Sequence, residues 1–182
     1  TDAVGHVTTF VTYNGGGKPT RIKDANGVIT DLAYNAGGQL ASRIVRASAD
    51  GTSSSGDATT TLTYGYRRLL QQVTDPDGVT LNLQYDLANR LTTVSRADRS
   101  FIQYTLDAAG NAIKEETFDS SNTLRRSMSR AYNALGQLVS MTDGLGHVVF
   151  DATATGSYDA DGNFVGAKDA RGTATRNSYD GL

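Results

Sequence analysis

The sequence has no cysteine, which excludes a disulfide framework and thiolate chemistry and removes the commonest zinc ligand. That absence suits export or surface display and is also common in cytosolic chains. No apolar run approaches the ~20 residues of a membrane helix. The opening residues, Thr1-Asp2-Ala3-Val4-Gly5-His6, lack the basic and apolar regions of a signal peptide. They also lack an initiator methionine, so the expectation is an internal piece of a longer protein. Glutamate is nearly absent, with 2 residues against 17 aspartates. Glutamate favours helices and aspartate favours turns, so an all-helical fold is excluded. Neither sign of charge dominates: 17 basic and 19 acidic residues leave a net charge of −2, which argues against a nucleic-acid footprint and against charge-driven disorder.

What is abundant is turn and strand material: 20 glycines, 23 threonines and 9 tyrosines among 182 residues. Leu, Ile, Val and Phe total only 37, close to the lower limit for a packed core. The expectation is a thin sheet that buries one face.

The chain repeats itself. An aromatic followed by Asp or Asn recurs at Tyr13, Tyr34, Tyr85, Tyr132, Tyr158 and Tyr179, with degenerate copies at Tyr64-Gly65 and Leu106-Asp107. The intervals between these eight anchors are 21, 30, 21, 21, 26, 26 and 21 residues. Four residues after an anchor stand Gly17, Gly38, Gly110, Gly136 and Gly162, with Asn89 in the same slot and Arg68 as the one departure. Gly and Asn tolerate positive φ, so this slot reads as a left-handed position closing a turn headed by an Asx residue. On this reading Gly162→Val destabilises more than Gly156→Val, because only Gly162 occupies a turn slot. Leu40, Leu70, Leu91, Leu138 and Phe164 then begin an apolar strand.

A second turn follows at Asp24, Asp75, Asp143 and Asp169, closed by Gly27, Gly78, Gly146 and Gly172. Each repeat is therefore a β-hairpin. Alternation along Leu81, Leu83, Tyr85 and along Ile102, Tyr104, Leu106 supports this. The longer units place a polar loop at residues 49–58, a displaced second turn at Asp119-Ser120-Ser121-Asn122, and a longer, bulged strand over His147–Ser157. Eight hairpins predict about 15 strands and, at ~4.8 Å per strand, a sheet roughly 70 Å long that must curve or close. Both ends of residues 1–182 are expected to be raw edges of a continuing array, because Tyr179-Asp180-Gly181-Leu182 opens a further unit.

The unit Tyr-Asp-x-x-Gly-(Arg/Asn/Gln)-Leu-x-x-Val-Thr-Asp-x-x-Gly-x-x-Thr is clearest over Tyr64–Thr80 and Tyr158–Thr175. It resembles the YD repeat of the RHS family, which includes bacterial polymorphic toxins, teneurins and the B/C components of insecticidal toxin complexes. The resemblance covers essentially the whole chain. It implies an all-β fold: tandem hairpins forming a long curved antiparallel sheet, part of a hollow spiral shell. It also implies that the shell encloses a C-terminal toxin or effector domain of a secreted or surface-displayed bacterial protein, without enzymatic activity in the wall and without a cofactor. The partners so implied are neighbouring repeats of the parent chain and the enclosed domain, with no nucleic acid and no membrane span. The family's self-cleavage motif, Asp-Pro-x-Gly-Leu, is approached by Asp75-Pro76-Asp77-Gly78-Val79 but departs at Val79, so no proteolytic residue is carried over.

Other chemistry is better explained by turns. The recurring aspartates fit Asx turns. His6 and His147 both follow a second-turn glycine and read as edge residues. Asp159-Ala160-Asp161-Gly162-Asn163 has glycine fourth where a calcium loop needs it sixth, and Ala170 where that loop needs glutamate. Gly15-Gly16-Gly17-Lys18-Pro19-Thr20 does not fit a phosphate loop. Arg125, Arg126 and Arg130 read as cross-strand partners of aspartates. The tyrosine rows leave one alternative of another class, an adhesive or carbohydrate-binding surface in cell-cell contact.

Overall fold

The computed structural model describes residues 5, 7–153 and 157–179. His6, Gly156 and Asp180-Gly181-Leu182 lie outside the described residues, as does part of the segment between His147 and Ser157. Fifteen strands form one sheet in chain order, each hydrogen-bonded to the next. They are β1 (Thr9–Tyr13), β2 (Pro19–Lys23), β3 (Ile29–Tyr34), β4 (Leu40–Val45), β5 (Ala58–Tyr64), β6 (Leu70–Thr74), β7 (Thr80–Tyr85) and β8 (Leu91–Arg96). The rest are β9 (Phe101–Leu106), β10 (Ala112–Phe118), β11 (Leu124–Tyr132), β12 (Leu138–Asp143), β13 (Val148–Asp151), β14 (Gly166–Asp169) and β15 (Ala174–Arg176). The only helical element among the described residues is a 3₁₀ turn at Tyr66–Arg68. The chain divides into two compact units, Thr1–Leu83 and Gln84–Leu182.

In the first unit β3, β4 and β5 illustrate the pattern. Asp31 pairs with Ile44 and Ala33 with Ser42, while Ser42 and Ile44 pair on their other side with Thr61 and Thr59. Along β5 every second residue, from Ala58 through Thr60 and Leu62 to Tyr64, is half-buried and its neighbours are exposed. In the second unit β10 lies between β9 and β11, and the Phe101 and Phe118 rings stack with centroids 4.5 Å apart.

Neither face of the sheet is covered. Among the described residues only Ile29 and Ala152 are buried hydrophobics, and no side chain is completely enclosed. This corrects the expectation of one buried face. A single layer gives each side chain neighbours along the sheet but none above it, so strand side chains are at most half-buried with few exceptions. With little apolar burial to draw on, such a layer depends more heavily on its hydrogen bonds.

Several hairpins also contain a register slip that the residue pattern did not reveal. Ala33 pairs with Ser42 but Tyr34 pairs with Leu40, so Ala41 is left over. The same slip omits Gln71 opposite Thr63 and Tyr64, Ile113 opposite Thr105 and Leu106, and Val139 opposite Ala131 and Tyr132. These are β-bulges at one fixed place, seven residues after the anchor, and a bulge bends its strand and increases its twist. A further slip in β13 leaves Val149 unpaired, in the segment where a bulge was expected.

Candidate functional site

The features that recur along the chain lie at the first turns, and they are built from the anchor forward. The residue after the anchor donates its N–H to the carbonyl four residues on and accepts from the N–H three residues on. Asn14 with Lys18 and Gly17, Asp86 with Arg90 and Asn89, and Asn133 with Gln137 and Gly136 show this, with bonds of 2.9–3.0 Å. The Asx side chain completes the turn. Asn14 Oδ1 accepts from the N–H groups of Gly16 and Lys18, and Asp159 Oδ1 from those of Asp161 and Asn163. The latter segment is thus a turn.

The closing slot is left-handed whatever residue fills it. Gly17, Gly38, Gly110, Gly136 and Gly162 have φ between 74° and 95°, and Asn89 has φ 65°. Arg68, the departure in residue type, adopts φ 62°. Gly65 heads that turn without a side chain, yet its N–H still reaches the Leu69 carbonyl and its carbonyl the Arg68 N–H. The backbone pattern therefore persists without an Asx residue.

The anchor tyrosines tie successive hairpins together. The hydroxyl of Tyr34 donates to the Pro19 carbonyl (2.9 Å), Tyr64 to Leu40 (2.9 Å) and Tyr132 to Ala112 (3.3 Å). Tyr158 donates to Leu138 (2.7 Å) and Tyr179 to Phe164 (2.9 Å). In each case the acceptor stands six residues after the preceding anchor.

A second tie runs from the residue after the turn slot. Lys18 Nζ reaches the Gly38 carbonyl, Gln39 Nε2 the Arg68 carbonyl (2.7 Å), Arg90 Nη1 the Asp107 carbonyl (2.8 Å), and Gln137 Nε2 the Gly162 carbonyl (3.1 Å). Arg68 reaches back to the Gly37 carbonyl. This gives the Arg/Asn/Gln position of the repeat a physical role. The same residue also meets the turn-heading side chain: Arg90 Nε bonds Asp86 Oδ2 at 2.7 Å, Asn111 Nδ2 bonds Asp107 Oδ2 at 2.9 Å, and Asn133 Nδ2 bonds Gln137 Oε1 at 2.7 Å. The donor from Asn111 holds the Asp107 carboxyl below its ordinary range, and the Arg90 N–H does so for Asp86.

The second turns share the backbone form without the ties. Gly27, Gly78, Gly146 and Gly172 have φ between 78° and 85°, and Asn122, closing the displaced turn, has φ 60°. Arg96-Ala97-Asp98-Arg99 is a further second turn that the residue pattern missed, since arginine stands in both key slots and Arg99 adopts φ 71°. His147 caps one of these turns, with Nδ1 3.0 Å from Asp143 Oδ2. Of the arginine cluster, Arg125 pairs with Asp119, but Arg130 and Arg126 face Glu115, at 2.9 and 3.7 Å, in place of the expected aspartates.

One second turn is replaced by the loop between Val45 and Ala58, and an ionic chain fastens it. Arg21 Nε and Arg46 Nη2 meet the two Asp31 oxygens at 2.5 and 2.6 Å, and Arg46 Nη1 meets Asp57 at 2.6 Å. Arg21 also bonds the Gly51 carbonyl (3.2 Å), and the loop lies against Ile29. Arg21 pulls the Asp31 carboxyl down against a burial effect that would raise it. The N–H groups of Ala47 and Ser54, with Arg46, pull Asp57 down, and the Ser48 hydroxyl with Thr52 lowers Asp50 to about 2. Among the described residues no group of three or more His, Asp or Glu side chains converges as a metal site.

Comparison with known proteins follows this geometry. Residues 68–100 and 132–174 match the family model RHS Repeat. No curated protein matches. The solved structure of TcdB2-TccC3-Cdc42 aligns with TM-score 0.60 and 21% identity over 75% of this chain and 7% of that one. TcdB2-TccC3-TEV aligns with TM-score 0.52 and 14% identity over 97% of this chain and 12% of that one. A Photorhabdus luminescens Tc holotoxin pore with a TccC3 variant aligns with TM-score 0.50 and 14% identity over 96% of this chain and 12% of that one. These structures show a shared fold, of which this chain spans a small share.

Proposed function

For a chain that carries RHS repeats, we propose that it is a segment of shell wall, a structural element that sequesters a C-terminal toxin or effector domain of a secreted bacterial protein. One observation carries this reading: successive hairpins are joined by the same tyrosine-to-carbonyl bond, while the strand between carries the same bulge. A bulge repeated in register bends successive hairpins that carry it in the same sense, which is how a ribbon is turned into a curved wall. The ties keep that bend from unzipping along its length. A wall needs no convergent acid, base or nucleophile, and the carboxylates described above are spent on backbone N–H groups and arginines. Enclosure would act sterically, keeping the cargo from its target until the wall opens. The tyrosine row fits this role better than carbohydrate binding, because five hydroxyls are already committed to carbonyls.

The test is cryo-electron microscopy of the intact parent protein. A closed shell containing these hairpins in its wall, with density inside, is the expected result. An open ribbon with both faces free would overturn enclosure.

A further inference from the structure

The units differ in length, and the first turns take no part in the difference. From each anchor to the residue six places on, the spacing is constant: Tyr13 to Pro19, Tyr34 to Leu40, Leu106 to Ala112, Tyr132 to Leu138 and Tyr158 to Phe164. The turn inside that span closes with the same two backbone bonds in every one of these units. From that residue to the next anchor the separation is 15 for Pro19–Tyr34 and Phe164–Tyr179, 20 for Ala112–Tyr132 and Leu138–Tyr158, and 24 for Leu40–Tyr64. The hydroxyl-to-carbonyl bond nevertheless forms across all of them. Every extra residue therefore lies outside the first turn, and two of the three longer units carry their excess at the second turn; in Leu138–Tyr158 the second turn is of ordinary length and the excess follows β13.

Two forms of excess are visible. The loop between Val45 and Ala58 replaces a turn and is fastened by Arg21, Asp31, Arg46 and Asp57. The hairpin of β10 and β11 is longer, at 7 and 9 residues. Pairing of β11 with β12 starts only at Met128, so Leu124 to Ser127 run past the neighbouring turn, and Leu124 and Arg126 are exposed.

We infer that the array is polarised: the first turns and their ties form a fixed seam that sets register, and the second-turn end is the principal site for inserted segments. The residue-type reason is that the seam draws on up to three elements per unit: the tyrosine hydroxyl, the side chain after the turn slot, and the carbonyls of the neighbouring turn. A residue added inside the first turn shifts the last two relative to the first. A residue added at the second turn shifts none of them. Contacts that distinguish one such array from another accordingly belong at the second-turn end, on segments such as 46–57 and 118–126.

The experiment uses the full chain and a single hairpin. Eight Gly/Ser residues are inserted between Gly144 and Leu145, in a second turn, or between Ala134 and Leu135, in the first turn of the same unit. Thermal unfolding and backbone amide exchange of β12 and Tyr158–Val165 are then compared. The second-turn insertion is expected to leave both near wild type, and the first-turn insertion to lower the midpoint by several degrees and raise exchange. Gln137→Ala combined with Tyr158→Phe, which breaks the seam with no insertion, is expected to raise exchange in the same segments even if the first-turn insertion does not fold. Equal tolerance of the two insertions, or unchanged exchange in the double variant, would overturn the inference.

Discussion

The first and second turns of each hairpin share a backbone form and differ in what surrounds them. Both close with the same pair of main-chain bonds and a left-handed residue in the last slot, as Asn14–Lys18 and Asp24–Val28 show. Both use an Asx oxygen to take two N–H groups. At the first turns, side chains then reach the neighbouring turn, and the next tyrosine bonds the strand just beyond. At the second turns, turn chemistry is largely local, except where the ionic chain fastens a long loop. Local turn chemistry thus makes a hairpin, and a separate set of contacts joins hairpins into a sheet. The two sets can be broken independently.

The largest effect is expected where the second-turn side departs from its usual locality. Asp31→Ala removes the carboxylate shared by Arg21 and Arg46, leaving Arg21 with the Gly51 carbonyl and Arg46 with Asp57 alone. We expect the largest loss of stability in the series, measured by urea denaturation, with increased proteolysis of loop 46–57. If that loop stayed protected, the ionic chain would not be what holds it.

Gly17→Val should cost about 2 kcal/mol, because a β-branched residue is forced to φ 75°. The control lies in the same turn: Gly15 has no positive φ and open space at its Cβ position, so Gly15→Val should cost far less. Equal midpoints for the two would show that the turn, and not its left-handed slot, sets the requirement.

Fold class and turns were legible in the residues because each has a residue-type signature. Alternation marks strands, and Gly or Asn marks positive φ. Two kinds of feature left no such mark. The tyrosine ties end on backbone carbonyls, which belong to Pro19, Leu40, Ala112, Leu138 and Phe164 alike, so the acceptor is invisible in composition. The bulge falls on Ala41, Gln71, Ile113 or Val139, which share no property. Arg68 and Arg99 show the converse, since residue type argued against a slot that the neighbouring hydrogen bonds impose. One available signal was the recurring Arg, Asn or Gln after the turn slot, which marks a side-chain donor without naming its acceptor.

Smaller effects sharpen the distinction. Tyr158→Phe removes one tie between hairpins and should cost about 1 kcal/mol with both turns intact. The two arginines in left-handed slots then separate the turn classes directly. Arg99 occupies a second turn and is exposed, so Arg99→Gly should stabilise by about 0.5 kcal/mol, strain relief outweighing the entropy of glycine. Arg68 is also left-handed but bonds the Gly37 carbonyl, so Arg68→Gly should gain less or lose. Equal gains would mean that the first-turn tie contributes nothing.

The smallest effect is expected from Asp107→Asn, and it isolates what charge adds to a first turn. The Asp107 carboxyl is held below its ordinary range by the Asn111 side chain and by backbone N–H groups. A carboxyl whose folded pKa is depressed contributes stability fully above its unfolded value near 4 and loses it as pH falls toward the folded value. Asparagine keeps an oxygen to accept the Asn111 N–H, and Asn133 already heads an equivalent turn, with its Nδ2 donating to Gln137 Oε1. At neutral pH the variant should therefore unfold close to wild type. As pH falls below about 4 the gap should close or reverse, because only the wild type takes up a proton at this turn on unfolding in acid. A constant gap across that range would mean that the turn is held by its oxygen alone. The mixture of Asp and Asn after the anchors would then reflect hydrogen bonding without any part for charge.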